Sequence, residues 1–259
     1  MEDELIHEIA SELITAEENK QSIERFTKHR YPDLSVEQAY HIQEALIQIK
    51  RMEGDTVVAP KMGLTSKAKW DQMGVDQPIY GYIFDTMKVD GDIEFSNYIH
   101  PKIEPEIGIV LASDMQGTNI TKEDVLENIE YAFSAVEVID SRYTDFDFHL
   151  GDVIADNASS KGYIFSEERV LPDKIDLANE KVQVTINDEV VVEGIGSNVL
   201  DHPAESIAAL VNMLGEKGQT VKKGEPIMTG GMTSAVLIKP GDVIKVTYST
   251  LPTIEVAVN

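Results

Sequence analysis

Hydrophobic residues recur at helical spacing in the first fifty residues of the chain. Leu5, Ile9 and Leu13 stand four residues apart within residues 3–16, which predicts an amphipathic helix. A second helix is expected to begin after Ser35, because Gln38 follows three residues later, as in a capping box. The buried stripe of this helix and the glycine that ends it are Ala39, Ile42, Leu46, Ile49 and Gly54.

After residue 55 the pattern changes to short apolar runs between turn residues, which is typical of β-strands. Further helices are predicted at residues 67–74, 121–129 and 201–218, and residues 146–155 are ambiguous. The predicted strands are residues 56–62, 79–84, 93–95, 100–111, 131–140, 182–186, 190–193, 227–229, 235–238, 243–248 and 254–258. Helices dominate the first third of the chain and strands the rest, so we predict an α+β (mixed α/β) fold.

Three stretches of small residues are not assigned to regular elements. Residues 155–161 (ADNASSK) fit a plain turn, although such runs also line sites because other groups can approach their backbone closely. Residues 229–233 (TGGMT) are expected to form a flexible loop between strands. Gly194 and Gly196 lack the third glycine and the following helix of a dinucleotide-binding motif, so we do not interpret them as one.

Two acidic residues interrupt the apolar run at residues 100–111 (HPKIEPEIGIVL). Glu104 and Glu106 would project from the same face of a strand, because side chains alternate along it. Pro105 lies between them and lacks a backbone donor, which places it at a sheet edge or a bulge. A third acid, Glu137, lies in another predicted strand and shares its face with Phe133, Ala135 and Ile139.

Acids buried together are costly, because desolvation and mutual repulsion both oppose their ionisation. A divalent cation relieves both penalties, and hard cations such as Mg²⁺ and Mn²⁺ prefer oxygen ligands. Glu104 and Glu106 alone would also fit the wet face of an edge strand, which is the commoner meaning of this spacing. The interpretation as a solvent-facing edge is weaker for Glu137, because the other residues on its strand face are apolar. The three acids together therefore favour a metal site.

Lys61 is a further candidate, because it stands where a predicted strand ends and a helix soon begins. The start of a helix favours anions, but a solvated lysine at a loop edge fits the same position. With the three acids, such a lysine would suit a metal-bound 2-oxo acid undergoing enolisation, hydration, decarboxylation or carbon–carbon bond hydrolysis. A protein that a metal merely stabilises, without catalysis, is also compatible with these residues.

The composition limits the class of protein. The chain has 259 residues, of which 42% are hydrophobic, as in a globular protein with a sizeable core. It has 46 acidic and 22 basic residues, and its formal net charge of −24 disfavours nucleic-acid and anionic-membrane partners. The absence of cysteine excludes disulfides, thiolate zinc sites and cysteine nucleophiles. The acidic N-terminus lacks the features of a signal peptide, and we expect a cytoplasmic protein.

Six motifs occur along the chain in a fixed order: KMGLTS (61–66), GVDQPIYG (74–81), HPKIEPEI (100–107), VEVIDSRY (136–143), ADNASS (155–160) and MTGG (228–231). Together they resemble the hydratase and decarboxylase branch of the fumarylacetoacetate hydrolase superfamily. The resemblance covers nearly the whole chain, and it implies a mixed β-roll that follows a small N-terminal helical portion. We accordingly divide the chain into residues 1–75 and a metal-binding catalytic β-roll at residues 76–259.

The resemblance also implies the parts of an active site. It implies Mg²⁺ or Mn²⁺ held by Glu104, Glu106 and Glu137, with Lys61 as the catalytic residue. The substrate, a 2-oxo dicarboxylic acid, would contact Gly63, Leu64, Ile79, Ser160, Thr229 and Gly230. The resemblance also implies that the protein forms a homo-oligomer and associates with a sister 2-hydroxypentadienoate hydratase.

Departures from the hydratase pattern favour the decarboxylases of this branch. The hydratases typically carry an acid in the motif where this chain has Ile79, and an acid that could direct water is not needed when no water is added. The chain also has Asp140 where hydratases tend to have glycine, and Gly231 where they tend to have alanine. The resemblance therefore implies decarboxylation of 2-oxohex-3-enedioate (4-oxalocrotonate), with hydration of 2-hydroxypenta-2,4-dienoate as the alternative.

Overall fold

The computed structural model describes residues 1–66, 70 and 77–259. Its α-helices are α1 (Asp3–Asn19), α2 (Val36–Glu53), α3 (Lys122–Leu126), α4 (Leu150–Ala155) and α5 (Pro203–Glu216). Its strands are β1 (Val57–Gly63), β2 (Ile79–Phe84), β3 (Lys102–Leu111), β4 (Ile129–Ile139), β5 (Ser160–Phe165), β6 (Lys181–Ile186), β7 (Glu189–Ile195), β8 (Pro226–Gly231), β9 (Val236–Leu237), β10 (Val243–Tyr248) and β11 (Ile254–Ala257). The α+β prediction is confirmed.

The larger sheet has the strand order β2-β1-β8-β3-β4-β5, and β9 also pairs with β3. Its end strands β2 and β5 contact each other, so the sheet curls round on itself. The smaller sheet has the order β11-β10-β6-β7. The predicted division at residue 75 stays a prediction, and we note that β1 pairs with β2 and β8 across it.

The central strands β3 and β4 have two different apolar surroundings. One face of β3 carries Ile103, Ile107 and Ile109, which belong to the larger hydrophobic core. Across the sheet, Phe133 and Ala135 of β4 belong to a smaller core inside the curl. Since side chains alternate along a strand, Glu104, Glu106 and Glu137 project to this inner side.

Most helix and strand predictions from the sequence are confirmed. The capping box at the start of α2 is present, because Gln38 N–H donates to Ser35 Oγ at 3.2 Å and Ser35 N–H donates to Gln38 Oε1 at 3.1 Å. Gly54 ends α2 with a φ of 113°. Strands β2 and β10 have the predicted bounds, and His202 caps the predicted helix α5. The predicted helix at residues 67–74 lies outside the described residues except for Trp70.

Several local predictions are wrong. Residues 93–95 form no strand, although Ile93 makes a single bridge to Val258. The helix that Thr121 caps ends at Leu126, since residues from Ile129 onward belong to β4. Residues 229–231 are not a loop but the end of strand β8, and the ambiguous residues 150–155 form helix α4.

Pro105 lies inside the sheet rather than at its edge. Strand β3 pairs with β4 along its whole length and with β8 and β9 on its other side. Pro105 stands between the segments that β9 and β8 cover, next to a register shift at Glu106–Gly108, and its carbonyl accepts from Met232 N–H at 2.9 Å. The missing donor is tolerated because it falls at this break in the ladder.

A buried ion-pair network fixes α1 to the sheet. The carboxylate of Glu17 lies 2.9 Å from the ammonium groups of both Lys50 and Lys161, and 3.9 Å from the guanidinium of Arg142. Arg142 also pairs with Asp156, and both side chains are almost fully buried. Burial alone would raise the pKa of Glu17, but attraction to Arg142, Lys161 and Lys50 outweighs it and lowers the pKa to about 2.

Replacing Glu17 by glutamine should therefore lower the free energy of unfolding by about 3 kcal/mol at neutral pH, since the pKa falls from 4.5 to about 2 on folding. A lowered pKa stabilises the folded state fully above the unfolded-state value of 4.5, and this stabilisation is lost as the pH falls toward 2. Urea unfolding at a series of pH values should show a gap between wild type and Glu17→Gln that narrows in acid.

Glu24→Gln provides the control, because Glu24 pairs with Lys28 on an exposed surface at 2.6 Å. Exposed pairs contribute about 0–1 kcal/mol, so little change is expected at any pH. Equal losses for the two variants, or a Glu17→Gln gap that does not depend on pH, would contradict the prediction.

Candidate metal centre and active site

Glu104, Glu106 and Glu137 come together on the inner side of the curled sheet. Glu104 and Glu137 are direct partners in the antiparallel register of β3 and β4, and Glu106 follows two residues along β3. One carboxylate oxygen from each residue lies within 4.8 Å of the others. All three side chains are buried. The interpretation that Glu104 and Glu106 line the solvent-exposed face of an edge strand is therefore wrong.

The carboxylates of Glu106 and Glu137 are poorly compensated by hydrogen bonds. Gly230 N–H donates to Glu106 Oε2 at 2.7 Å. Within the described part of the chain, Glu106 Oε1 and both carboxylate oxygens of Glu137 accept no hydrogen bond. Burial raises the pKa of Glu106 well above its usual range, with repulsion from Glu137 second, and burial also raises the pKa of Glu137. Unsatisfied buried oxygens of this kind fit a hard cation.

Lys61 of β1 reaches the same cluster. Its Nζ lies 2.9 Å from Glu137 Oε2 as an ion pair, and it donates a hydrogen bond to the carbonyl of Ala158 at 3.1 Å. The ammonium of Lys61 therefore compensates part of the negative charge of Glu137. Lys61 is only 2% exposed, which excludes the solvated-lysine reading.

The charges of the cluster are mutually dependent. Burial would lower the pKa of Lys61, but attraction to Glu137, Glu106 and Glu104 outweighs it and raises the pKa. The ammonium therefore stays protonated and can donate hydrogen bonds to an anion. Because a metal binds the ionised form of a carboxyl group, three carboxylates and one ammonium would together carry the two net negative charges that a divalent cation neutralises.

The residues that precede β5 form a second wall. Asn157, Ala158 and Ser159 are buried and adopt φ angles of 49°, 52° and 58°, so the stretch is not the plain surface turn that its composition favours. Ala158 supplies the carbonyl that binds Lys61. Ser160 is fully buried, and its hydroxyl is among the groups that lower the pKa of Glu137 against the larger effect of burial.

Gly63 and Ile79 lie opposite each other in the register of β1 and β2. A Cβ at Gly63 would stand 3.2 Å from Ile79 Cγ1 and 3.7 Å from Ala158 Cβ, so Ile79 forms an apolar wall beside the residue that binds Lys61. Leu64 follows with a φ of 52°. Contact of these residues with a substrate stays a prediction.

Thr229 and Gly230 are engaged within the protein. The Thr229 hydroxyl donates to the carbonyl of Ile107 at 2.9 Å, and Ser206 Oγ donates to the carbonyl of Thr229 at 2.7 Å. These bonds hold the backbone from which Gly230 N–H reaches Glu106. The two residues thus orient a carboxylate of the cluster, and their predicted contact with the substrate stays a prediction.

Tyr248 is a site neighbour that sequence reasoning missed. Its hydroxyl lies 3.0 Å from the carbonyl of Glu106 and 2.8 Å from the carbonyl of Ala135, and thereby ties the smaller sheet to β3 and β4. Nothing in the local sequence indicates this contact, because Tyr248 stands more than a hundred residues further along the chain. Arg142 forms a buried ion pair with Asp156 and has a structural role.

Comparisons with known proteins agree with this geometry. The fumarylacetoacetate (FAA) hydrolase C-terminal family matches residues 70–259. The chain is 42% identical over 245 residues to 4-oxalocrotonate decarboxylase of Pseudomonas putida, and the match covers 94% of this chain and 92% of the relative. It is 36% identical over 216 residues to 2-hydroxyhexa-2,4-dienoate hydratase of Comamonas testosteroni, with 82% of each chain covered.

A solved structure is similar over the whole length. The 4-oxalocrotonate decarboxylase from Pseudomonas putida G7, complexed with magnesium and adipate, superimposes with a TM-score of 0.96 at 39% identity. The match covers 100% of this chain and 99% of that chain, and it confirms the mixed β-roll expected from the motifs. Together with the family match, these similarities show that the chain belongs to the fumarylacetoacetate hydrolase family.

Proposed function

We propose that this protein decarboxylates 2-oxohex-3-enedioate to 2-hydroxypenta-2,4-dienoate and CO₂, and that it depends on a divalent metal ion. The observation that carries the proposal is a trio of buried carboxylates, gathered within 4.8 Å of one another, that faces a buried lysine. The trio lies in a chain that is 42% identical over 94% of its length to a 4-oxalocrotonate decarboxylase.

Glu104, Glu106 and Glu137 would hold the ion, with Mg²⁺ or Mn²⁺ matching an all-oxygen site. When bound, the ion supplies Lewis-acid polarisation of the 2-oxo group. The similar solved structure contains magnesium and adipate, and adipate has the six-carbon dicarboxylate skeleton of the proposed substrate.

The reaction requires an electron sink at the 2-oxo oxygen. The bond between C5 and the distal carboxylate breaks, its electron pair forms the C4=C5 double bond, and the C3=C4 pair moves to C2=C3. Negative charge then develops on the 2-oxo oxygen, and one proton gives 2-hydroxypenta-2,4-dienoate. Groups that stabilise this oxygen in the transition state accelerate the step.

Lys61 is suited to this task. Its ammonium is held protonated by the surrounding carboxylates and lies within the cluster rather than in solvent. It can donate a hydrogen bond to the substrate carboxylate or to the developing enolate oxygen, or deliver the proton. Placement by Glu137 and Ala158 fixes the donor before the substrate arrives, which lowers the cost of reorganisation.

Ile79 supports decarboxylation over hydration. It is 1% exposed and presents a hydrocarbon wall next to Gly63 and Ala158. An apolar wall can neither orient a water molecule for addition nor solvate the distal carboxylate, and loss of CO₂ removes that charge. Hydration of 2-hydroxypenta-2,4-dienoate is the second candidate, because a hydratase of this family is 36% identical to the chain.

The setting of the reaction is also part of the proposal. No helix among the described residues is long and apolar enough to cross a membrane. We place the enzyme in the cytoplasm as a homo-oligomer, without nucleic-acid or membrane partners. Association with a sister hydratase would allow the unstable dienol product to be consumed as it forms.

Purified protein should release CO₂ from 2-oxohex-3-enedioate in the presence of Mg²⁺ and lose this activity after exhaustive chelation, because the electron sink then lacks its Lewis acid. Gas release and the ultraviolet spectrum of the dienol report the reaction. Hydration of 2-hydroxypenta-2,4-dienoate, measured in parallel, should be slow. Efficient hydration with the dicarboxylate untouched would assign the hydratase instead.

Glu106→Gln should raise the melting temperature of the metal-free protein, because it removes a carboxyl whose raised pKa destabilises the folded state as the pH rises above 4.5. Glutamine keeps an oxygen that can accept from Gly230. Mg²⁺ should stabilise the wild type by about 2.7 kcal/mol at one hundred times its Kd and the variant far less.

Thermal unfolding at fixed ionic strength, with and without Mg²⁺, measures both effects. The control is Glu180→Gln, since Glu180 is also buried but accepts from the backbone of Thr250 and Leu251 away from the cluster. Its gain from Mg²⁺ should equal that of the wild type. An unchanged gain in Glu106→Gln would remove Glu106 from the metal site.

Lys61→Met should lower kcat by about a hundredfold or more, because a placed proton donor contributes at least this much. Methionine retains the volume of the side chain, and the acids that would hold Mg²⁺ remain, so the thermal gain from Mg²⁺ should persist. Lys50→Met controls for loss of a buried lysine elsewhere, since Lys50 pairs with Glu17. Turnover of Lys61→Met within about tenfold of wild type would exclude the catalytic role.

A further inference from the structure

The turn that binds Lys61 has an unfavourable backbone. Asn157, Ala158 and Ser159 have φ angles of 49°, 52° and 58°, and none is glycine. Left-handed conformations cost L-residues about 1–2 kcal/mol each and persist where surrounding contacts impose them. Three in succession therefore raise the question of which contacts hold this turn.

The two ends of the turn are fixed by one guanidinium. Arg142 donates to the carbonyl of Asp156 at 2.5 Å and to the carbonyl of Ser160 at 3.2 Å. These bonds define where the turn begins and ends. They do not fix the middle of the turn against β1 and β2, where Lys61 is located.

The middle is fixed by the side chain of Asn157. Its Oδ1 accepts from Tyr82 N–H at 2.8 Å, and its Nδ2 donates to the Tyr82 carbonyl at 2.8 Å. The amide thus pairs with the backbone of β2 as another strand would. Its backbone carbonyl also approaches Gly81 so closely that a Cβ there would stand 2.7 Å away, and Gly81 is the register partner of Lys61.

The next residue, Ala158, supplies the carbonyl that accepts from Lys61 at 3.1 Å. Among the residues that the structure describes, the ammonium also pairs with Glu137, which is one of the acids that would hold the metal ion. Ala158 is therefore the partner that Lys61 does not share with the metal site, and its position follows from the pairing of Asn157 with Tyr82.

We propose that Asn157 is a positioning residue, which fixes the Ala158 carbonyl and through it the ammonium of Lys61 for the reaction. The inference rests on the proposed function, because it assigns Lys61 to the chemistry. Asn157 itself acts on the catalytic group and not on the substrate, so its loss should affect kcat and leave KM and the response to Mg²⁺ unchanged.

Asn157→Gly tests the proposal, because glycine tolerates the left-handed backbone and removes only the anchor to Tyr82. The matched control is Asn187→Gly in the β6–β7 turn. Asn187 has a φ of 52°, accepts from Val243 N–H at 2.9 Å and donates to Asp242 at 3.2 Å, on the other sheet. Asn157→Gly should lower kcat by about ten- to hundredfold, as expected for a displaced catalytic group, whereas Asn187→Gly should not.

Three measurements decide the result: kcat, KM, and the thermal shift caused by Mg²⁺. A wild-type kcat in Asn157→Gly would overturn the proposal. A lower kcat accompanied by a higher KM and a lost Mg²⁺ response would also overturn it, because that combination indicates general disruption of the site. Should this variant not fold, Asn157→Asp takes its place. Aspartate keeps the size of the side chain and an oxygen that accepts from Tyr82 N–H. It places a second oxygen, which cannot donate, against the Tyr82 carbonyl, so the same loss of kcat is expected.

A structure of Asn157→Gly separates this inference from the proposed function. Displacement of Lys61 Nζ from the Ala158 carbonyl by about 1 Å or more supports the positioning role even for a wild-type protein that leaves 2-oxohex-3-enedioate untouched. An unmoved Lys61 overturns the inference, whatever the substrate of the wild type is.

Discussion

Mutual repulsion among three buried carboxylates is the constraint on which the interior of the curled sheet depends. Burial opposes the ionisation of Glu106 and Glu137 most strongly, and repulsion from the neighbouring acids adds to the penalty. Lys61 compensates one charge and leaves two. The protein tolerates this arrangement because the rest of the fold is built to keep the acids in place, and a divalent cation at the centre would remove most of the cost.

Rigidity is supplied by contacts that reach the acids from several elements. Glu104 and Glu137 are fixed by the pairing of β3 with β4, and Glu106 is oriented by Gly230 of β8. Tyr248 ties the same two strands to the smaller sheet. Strands hold side chains more precisely than loops do, so these contacts fix the three carboxylates close together.

The grouping of the three acids was predictable from the sequence because it depends on strand periodicity, whereas the contacts of Lys61 were not predictable. Alternation along β3 places Glu104 and Glu106 on one face, and the apolar row around Glu137 indicates that its face is buried. Ala158 contacts Lys61 from a turn that Asn157 joins to Tyr82, and both contacts link residues far apart in sequence. The left-handed turn also carries no glycine that would have signalled it, so composition favoured a plain turn.

The proposed preference for decarboxylation over hydration rests on the absence of charge beside Ile79. Ile79, Gly63 and Ala158 form an apolar surface beside a cluster that is already rich in carboxylates. An acid at residue 79 would add a negative charge beside Gly63 and Ala158, and Ala158 is the residue that binds Lys61. Such an acid can direct water, which a hydratase needs. A decarboxylase benefits instead from an apolar wall, because a distal carboxylate is poorly solvated there. Its loss as CO₂ moves the negative charge from this wall to the 2-oxo oxygen. The same arrangement of acids and lysine can therefore serve either reaction, with the polarity of this wall favouring one of them.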